Sequence, residues 1–185
     1  MTPILGIMAS QQPGHLAPLA FDSIATLTGS GTPTSVTFSS IPSTYKHLQV
    51  RVFGRLSSTS RFQMRFNGDT GANYALHTYL GGGTSAYGLS ATGSTITFMQ
   101  LGYTDGDASI FCANVVDILD YTNTSKNTTM RALTGYDKNT ATSGEVGLWS
   151  GLWMNTSAVS SITIFSNNGA TIDANSSFAL YGIKG

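Results

Sequence analysis

The sequence is poor in charge, and that shortage excludes two classes of protein. Charged residues make up 10% of the chain and sum to a formal net charge of zero. Coiled coils and surface-charged helical bundles need abundant Glu, Lys and Ala. A nucleic-acid-binding protein needs clustered Lys and Arg, which displace counterions from phosphates. The arginines between residues 51 and 65 alternate with apolar residues and indicate the outward face of strands. We therefore expect neither a helical bundle nor a nucleic-acid partner.

Cysteine and long apolar runs are scarce as well. The single cysteine, Cys112, can form no intrachain disulfide, and its place in the apolar run 110–113 indicates an inert buried thiol. No apolar stretch approaches the ~20 residues needed to cross a bilayer, so we expect no membrane insertion. The apolar start of the chain lacks the basic residues and the length of a signal peptide, and we expect the mature chain to keep it.

The chain is rich in small polar residues and has enough apolar ones to fold. It contains 23 Ser, 25 Thr and 21 Gly, and 41% of its residues are hydrophobic, including eight Tyr and nine Phe. From Phe21 onward, apolar residues alternate with polar ones between clusters of Gly, Ser, Asn and Asp, a pattern typical of short strands and turns. The predicted strands are residues 21–28, 35–41, 47–56, 61–66, 73–80, 94–102, 109–121, 128–136, 144–154, 159–165 and 176–183.

This alternation predicts sheets with one solvent-facing side. Leu48, Val50 and Val52 fall on one face of their strand, and polar residues fall on the other. Residues 110–119 and 178–183 are apolar on both faces, which suits strands inside a sandwich or at a subunit contact. No window carries a helical apolar period with caps, so we expect no long helix. The pattern predicts an all-β fold, an antiparallel two-sheet β-sandwich that is jelly-roll-like and has an extended N-terminal arm.

We expect an arm and connector at residues 1–20, followed by a single β-sandwich domain at 21–185. Two prolines and a glycine between residues 13 and 18 indicate an irregular connector. The arm carries Ile4, Leu5, Ile7 and Met8, whose apolar side chains would be costly to leave in water. We therefore expect it to dock on a neighbouring subunit, and a frayed terminus is the alternative.

The acidic and histidine residues do not form a recognisable catalytic set. Sugar hydrolysis needs two carboxylates about 5 to 9.5 Å apart. Glu145 is the one glutamate, and Asp117 and Asp120 lie at odd spacing in one predicted strand, so they point to opposite faces. Asp117 is expected to pair with Arg131 or with turn amides. The histidines are scattered without a second ligand at metal-binding spacing. We expect no enzymatic activity, no metal and no cofactor.

Two features leave an alternative open. Asp105 and Asp107 flank a glycine as in a hairpin turn, which we prefer to a calcium loop, and the sequence leaves a bound cation undecided. Trp149 and Trp153 are four residues apart in a predicted strand and so share one face. We expect that face to be buried in a core or a subunit contact. The alternative is a ligand surface on which these rings and Tyr87 stack against sugars.

Several motifs give the chain a resemblance to a known group of proteins. They are residues 3–7 (PILGI), 38–51 (FSSIPSTYKHLQVR), 64–74 (MRFNGDTGANY), 116–121 (VDILDY), 150–155 (SGLWMN) and 176–185 (SSFALYGIKG). On these motifs, which span nearly the whole chain, it resembles a family of small β-sandwich virion structural proteins of tailed bacteriophages. It departs from that pattern at 125–129 (SKNTT), where a basic, tyrosine-containing run is expected and where this chain is predicted to form a surface turn.

The resemblance implies a virion structural protein, made in the host cytoplasm and placed on the surface of the phage particle. We expect a capsid decoration (cement) protein, a homotrimer whose other partners are phage capsid or tail proteins. The alternative is a tail-fibre or tailspike module that binds a host surface glycan. The residues expected to form oligomer or capsid contacts are Ile4, Leu5, Ile7, Met8, Phe178, Leu180, Tyr181 and Ile183.

Overall fold

The structure is a computed structural model that describes residues 20–92, 96–140 and 143–185. These residues form twelve β-strands and no helix. The strands are β1 (Phe21–Thr28), β2 (Ser35–Phe38), β3 (His47–Gly54), β4 (Ser60–Phe66), β5 (Tyr74–Gly82), β6 (Ser85–Ala91), β7 (Met99–Thr104), β8 (Cys112–Leu119), β9 (Thr128–Thr140), β10 (Ser143–Trp153), β11 (Ile162–Ser166) and β12 (Ser177–Ile183). The all-β prediction is confirmed for this part of the chain.

The strands form two antiparallel sheets that pack together. The large sheet has the order β1-β12-β3-β8-β9-β10-β5-β6, and the small sheet has the order β2-β11-β4-β7. Four hydrogen-bonded pairs are nested in the sequence: β1 with β12, β2 with β11, β3 with β8, and β4 with β7. Nested pairs that alternate between two sheets are the wound hairpin of a jelly roll. The predicted β-sandwich is confirmed, and its topology is that of a jelly roll.

Two inserted hairpins widen the large sheet. The β5–β6 hairpin follows β4, and the β9–β10 hairpin follows β8. β9 pairs with β8, and β10 pairs with β5, so both hairpins extend the sheet beyond the jelly-roll strands. This four-strand extension, together with the adjoining β8, carries the candidate functional site described below.

The core lies between the sheets because alternate residues of each strand point inward. Leu48 and Val52 on β3 are buried, as their alternation predicts. Phe62 of the small sheet contacts Phe178 of the large sheet edge to face, with ring centroids 5.9 Å apart. Cys112 is buried in the same core, and burial raises the pKa of its thiol to about 11. The predicted burial of this thiol is confirmed.

The C-terminal strand is not a surface edge. β12 lies between β1 and β3 and is hydrogen-bonded to both. Phe178 and Leu180 are fully buried, whereas Tyr181 and Ile183 are half-buried. The prediction of oligomer or capsid contacts is therefore wrong for Phe178 and Leu180, because the core already covers both side chains. For Tyr181 and Ile183 it stays a prediction.

The strand predictions for residues 85–104 differ from the structure in two ways. β6 was not predicted, because small Ser, Ala and Gly residues surround its two large apolar side chains, Tyr87 and Leu89. The strand predicted at 94–102 begins only at Met99 and runs on to Thr104. Residues 93–95 lie outside the described residues.

Residues of three sequence motifs pack on one another near the end of β12. The Tyr121 hydroxyl donates a hydrogen bond to the carbonyl of Pro42 and accepts one from the backbone N–H of Tyr45. The ring of Tyr45 lies against Gly182, so close that a Cβ atom at this position would overlap it. These motif residues therefore hold the fold together.

Replacing Gly182 with alanine is expected to lower the free energy of unfolding by about 1–3 kcal/mol, because the new methyl group overpacks against the Tyr45 ring. Denaturant unfolding measures the loss. Gly135→Ala is the matched control, since the nearest atom to a Cβ there is 3.4 Å away, and its effect should stay within about 1 kcal/mol. Equal losses at both positions would contradict the contact between Tyr45 and Gly182.

The loop between β4 and β5 is held by the carboxylate of Asp69. This group accepts hydrogen bonds from Trp153 Nε1 at 2.7 Å, from the N–H of Gly71 at 2.8 Å and from Asn73 Nδ2 at 3.0 Å. Burial raises the pKa of Asp69, but these hydrogen bonds outweigh it and leave the pKa below its usual value of 3.8. The one acidic residue of the motif at 64–74 therefore has a structural role, because its carboxylate is hydrogen-bonded to other groups of the same chain.

Candidate functional site

The outer side of the large sheet carries a row of exposed apolar side chains. On β8 and β9, Val115 pairs with Leu133. Leu148 of β10 pairs with Leu133 on one side and with Tyr79 of β5 on the other. Because directly opposite side chains lie about 4.5–5.5 Å apart on one face, the four form a continuous row. Leu133, Leu148 and Tyr79 are 53%, 56% and 58% exposed.

The row lines a groove of about 910 Å³ on this side of the sheet. Val146, which is 56% exposed, lies two residues from Leu148 along β10 and extends the same surface. We call Tyr79, Val115, Leu133, Val146 and Leu148 the apolar face. Contiguous exposed apolar surface with a polar border marks interaction sites in soluble proteins. The apolar face is therefore the candidate functional site.

A polar row borders the apolar face. Asp117 pairs with Arg131, and Ser150 pairs with Arg131 and with His77. Arg131 Nε donates to Asp117 Oδ2 at 3.1 Å, and Gln49 Nε2 donates to Asp117 Oδ1 at 2.9 Å. The predicted pairing of Asp117 with Arg131 is confirmed. The carboxylate and the guanidinium balance each other, so this border offers hydrogen-bonding groups with no net charge.

The one glutamate is engaged in an ion pair at half-buried positions. Glu145 accepts hydrogen bonds from two nitrogens of Arg61, at 2.6 and 2.7 Å. The Arg61 guanidinium also lies 5.1 Å from the ring centre of Tyr103 and 5.3 Å from that of Trp149. The Glu145 carboxylate therefore neutralises the half-buried Arg61 guanidinium, and it does not line the groove.

The acidic loop after β7 holds a lysine. Lys138 Nζ lies 2.5 Å from Asp105 Oδ2 and 2.8 Å from Asp107 Oδ2. These hydrogen bonds raise the pKa of Lys138 above its usual range. Gly106 makes a turn with φ of 85°, but the turn joins β7 to β8 in the other sheet, so the predicted hairpin is wrong. Across 20–92, 96–140 and 143–185, no three His, Cys, Asp or Glu side chains group as a metal site.

Both tryptophans belong to the core. Trp149 is 3% exposed and Trp153 is 1% exposed, so the predicted burial is confirmed. Trp149 Nε1 donates to Thr134 Oγ1 at 3.2 Å. The alternative in which these two rings stack against sugars is wrong, because the core covers both. Tyr87, the third residue of that alternative, is 45% exposed on β6.

The apolar face was not among the predicted contacts, although one signal pointed to it. The segment 110–119 is apolar on both faces and includes Val115, which indicated a strand inside a sandwich or at a subunit contact. The arm residues lie outside the described residues, so their predicted contact stays a prediction. They are Ile4, Leu5, Ile7 and Met8.

The chain matches no model of a known protein family and no curated protein. Among the residues that the structure describes, no helix is long and apolar enough to cross a membrane. Function is therefore inferred from the apolar face, from the fold and from the sequence motifs.

Proposed function

We propose that the protein is a structural component of the virion of a tailed bacteriophage, a capsid decoration protein that binds the shell through the apolar face and the N-terminal arm. The observation that carries this proposal is the continuous row of Val115, Leu133, Leu148 and Tyr79 on the solvent side of the sheet. Such a surface is stabilised when a partner covers it. The resemblance of the sequence motifs to those of phage virion proteins is the reason for proposing a phage particle. The proposed role includes no catalysis and no cofactor.

The fold is compatible with this role. Jelly rolls serve as viral capsid domains and as lectin domains, so the architecture alone does not decide between them. The apolar character of the groove favours a protein partner over a sugar, because sugar sites combine aromatic rings with many hydrogen-bonding groups. Here three of the four residues in the row are aliphatic.

The electrostatics also favour docking over catalysis. Asp117 is paired with Arg131, and Glu145 is paired with Arg61. Acid–base chemistry on a substrate in the groove would need a carboxylate or imidazole free to exchange protons with it. Asp117 is held by Arg131 and Glu145 lies outside the groove, so His77 is the one imidazole and Asp117 the one carboxylate in the groove lining. The rest of the lining offers mainly apolar area to a partner.

The energy available from the apolar face is sufficient for attachment. At ~25 cal/mol per Å2, burying a few hundred Å2 of apolar area contributes several kcal/mol per copy. A part of this gain offsets the entropy lost on docking. Repeated over many copies, the remainder would stabilise the shell against the pressure of packaged DNA.

A tail-fibre or tailspike module that binds a host glycan is the second candidate. The observation that favours it is the exposure of Tyr79, at 58%, on the side of the sheet that carries the groove. Tyr87 is 45% exposed, but it pairs with the buried Leu80 and therefore lies on the other side of the sheet. His77 and Ser150 lie in the polar row next to Tyr79 and could hydrogen-bond to sugar hydroxyls. On this reading the protein would locate to the tail and bind cells directly.

Deleting residues 1–9 is expected to weaken binding to purified phage heads by about tenfold, which corresponds to ~1.4 kcal/mol. The arm carries four large apolar residues, and the entropy cost of ordering a flexible segment limits its net contribution. Co-sedimentation of the shortened protein with heads that lack it measures the change.

The same deletion separates the two candidates. A glycan-binding tail module should bind host cells equally well with and without residues 1–9, since its ligand surface lies on the folded domain. Unchanged attachment to heads after the deletion would remove the arm from the proposed mechanism. Circular dichroism of both forms controls for loss of the fold.

A further inference from the structure

Strand β6 forms an edge of the large sheet. It comes last in the strand order, and it pairs with β5 on its other side. Six of its seven residues are exposed, from Ser85 to Ser90. An edge strand presents unpaired backbone N–H and C=O groups, and natural proteins protect such edges with short strands, charges, prolines or bulges.

The other three sheet edges in the described part of the chain have such protection. β1 has a register shift between Ser23 and Ala25 and carries Asp22. β2 is only four residues long. β7 pairs with β4 through a register shift between Arg61 and Gln63.

Strand β6 has none of these protections. Its pairing with β5 runs over seven consecutive residues without a register shift. Its sequence, SAYGLSA, contains no charged residue and no proline. A long, regular and uncharged edge is a template for pairing with another strand. The β6 edge is therefore suited to hydrogen-bonding with a strand of another molecule.

We propose that β6 pairs with β6 of a second copy of this chain, antiparallel across a two-fold axis, and that the protein is a dimer. The register in which all seven residues pair places Gly88 on the axis. In that register, Tyr87 of each copy lies opposite Leu89 of the other, on the same side of the sheet. Both side chains are exposed in the single chain, at 45% and 55%. The pairing thus covers four large apolar side chains at the axis.

The opposite side of β6 has no obstacle to this pairing. Ala86 and Ser90 face each other across the axis there, with Gly88 between them, and all three are small. An aromatic residue opposite an aliphatic one contributes about 0.2–1 kcal/mol per pair in a sheet. The strand is self-complementary, as an isologous interface requires.

Symmetry favours a dimer over the trimer expected from the resemblance. Pairing of β6 with itself closes after two copies. A ring of three would have to pair β6 with a different edge, and the other edges are shortened, bulged or charged. Two eight-stranded sheets would join into one of sixteen strands, with the two apolar faces on the same side. The dimer does not depend on the place of the protein in the virion.

The test compares two double variants that differ only in the sign of the charge introduced at residue 90. In Ala86→Lys/Ser90→Lys, each lysine would lie opposite a lysine of the other copy. In Ala86→Lys/Ser90→Glu, each lysine would lie opposite a glutamate. Both changes fall on exposed positions of β6. Light scattering coupled to size-exclusion chromatography gives the mass of each form at the same concentration.

The proposal predicts a mass of twice 19.4 kDa for the natural chain, half that mass for the Lys/Lys variant and the doubled mass again for the Lys/Glu variant. A natural chain that is monomeric or trimeric would overturn it. Equal masses for the two variants would also overturn it, since the β6 pairing would then play no part in assembly. Near-ultraviolet circular dichroism confirms that each variant is folded. If the Lys/Lys variant does not fold, the mass of the natural chain alone still decides.

Discussion

Replacing Leu133 and Leu148 with lysine is expected to reduce the affinity for phage heads by about a hundredfold, a change of roughly 3 kcal/mol. Both leucines are more than half exposed in the middle of the apolar face. Burial of one such side chain contributes about 1.5–3 kcal/mol, and a lysine at either position would also have to lose its hydration. Equilibrium binding to heads that lack the protein measures the effect.

The matched control for this double variant is Thr26→Lys/Thr129→Lys. Both threonines are exposed strand residues of the same sheet, and neither belongs to the apolar face. The control adds the same charge, so its binding to heads should change by less than threefold at physiological salt, as expected for scattered surface charges. If the two double variants bind alike, the apolar face does not contact the shell.

Trp153→Ala is expected to destabilise the fold by about 3–5 kcal/mol, the range for removing a large buried aromatic side chain. Trp153 is 1% exposed, and its ring lies 5.6 Å from that of Phe66, edge to face. Its indole N–H also donates a hydrogen bond to Asp69, which would lose a partner. Denaturant unfolding of the variant and the natural chain gives the difference.

Two further variants make this second prediction specific. Met154→Ala alters the next residue, which is 40% exposed, and should cost less than about 1 kcal/mol. Trp153→Phe keeps an aromatic ring beside Phe66 but removes the hydrogen bond to Asp69, so its loss should be intermediate. A Trp153→Ala protein as stable as the natural chain would contradict the position of this tryptophan in the core.

Local alternation was enough to predict the sandwich, since burial of every second residue leaves a direct mark on the sequence. Leu48 and Val52 illustrate this. The same rule placed Trp149 and Trp153 on one face of β10. It could not by itself choose the inner face, because Leu148 and Leu152 make the other face of that strand apolar too.

Strand order could not be predicted, and the error on β12 follows from that. Phe178 and Leu180 were expected to form oligomer or capsid contacts, but the chain returns at its end to lie between β1 and β3. Nothing in the segment 176–185 specifies two neighbours that are more than a hundred residues away in the sequence. Topology of this kind is decided by packing of the whole sandwich.

The apolar face could not be predicted for a related reason. Val115, Leu133, Leu148 and Tyr79 lie on four strands, and each is an isolated apolar residue in its own segment or part of an ambiguous run. They become a surface only through the register of β8 with β9, of β9 with β10 and of β10 with β5. β6 escaped detection because its pattern is weak, although its lack of charge is visible in the sequence.

The central claim is that the protein decorates the phage head, and immunogold labelling of intact virions tests it most directly. An antibody against the folded domain, with residues 1–20 left out of the immunogen, would report the position of the sandwich. The decoration role predicts gold distributed over the head. Gold confined to the tail tip would contradict it and direct attention to Tyr79 and the polar row as a receptor-binding surface.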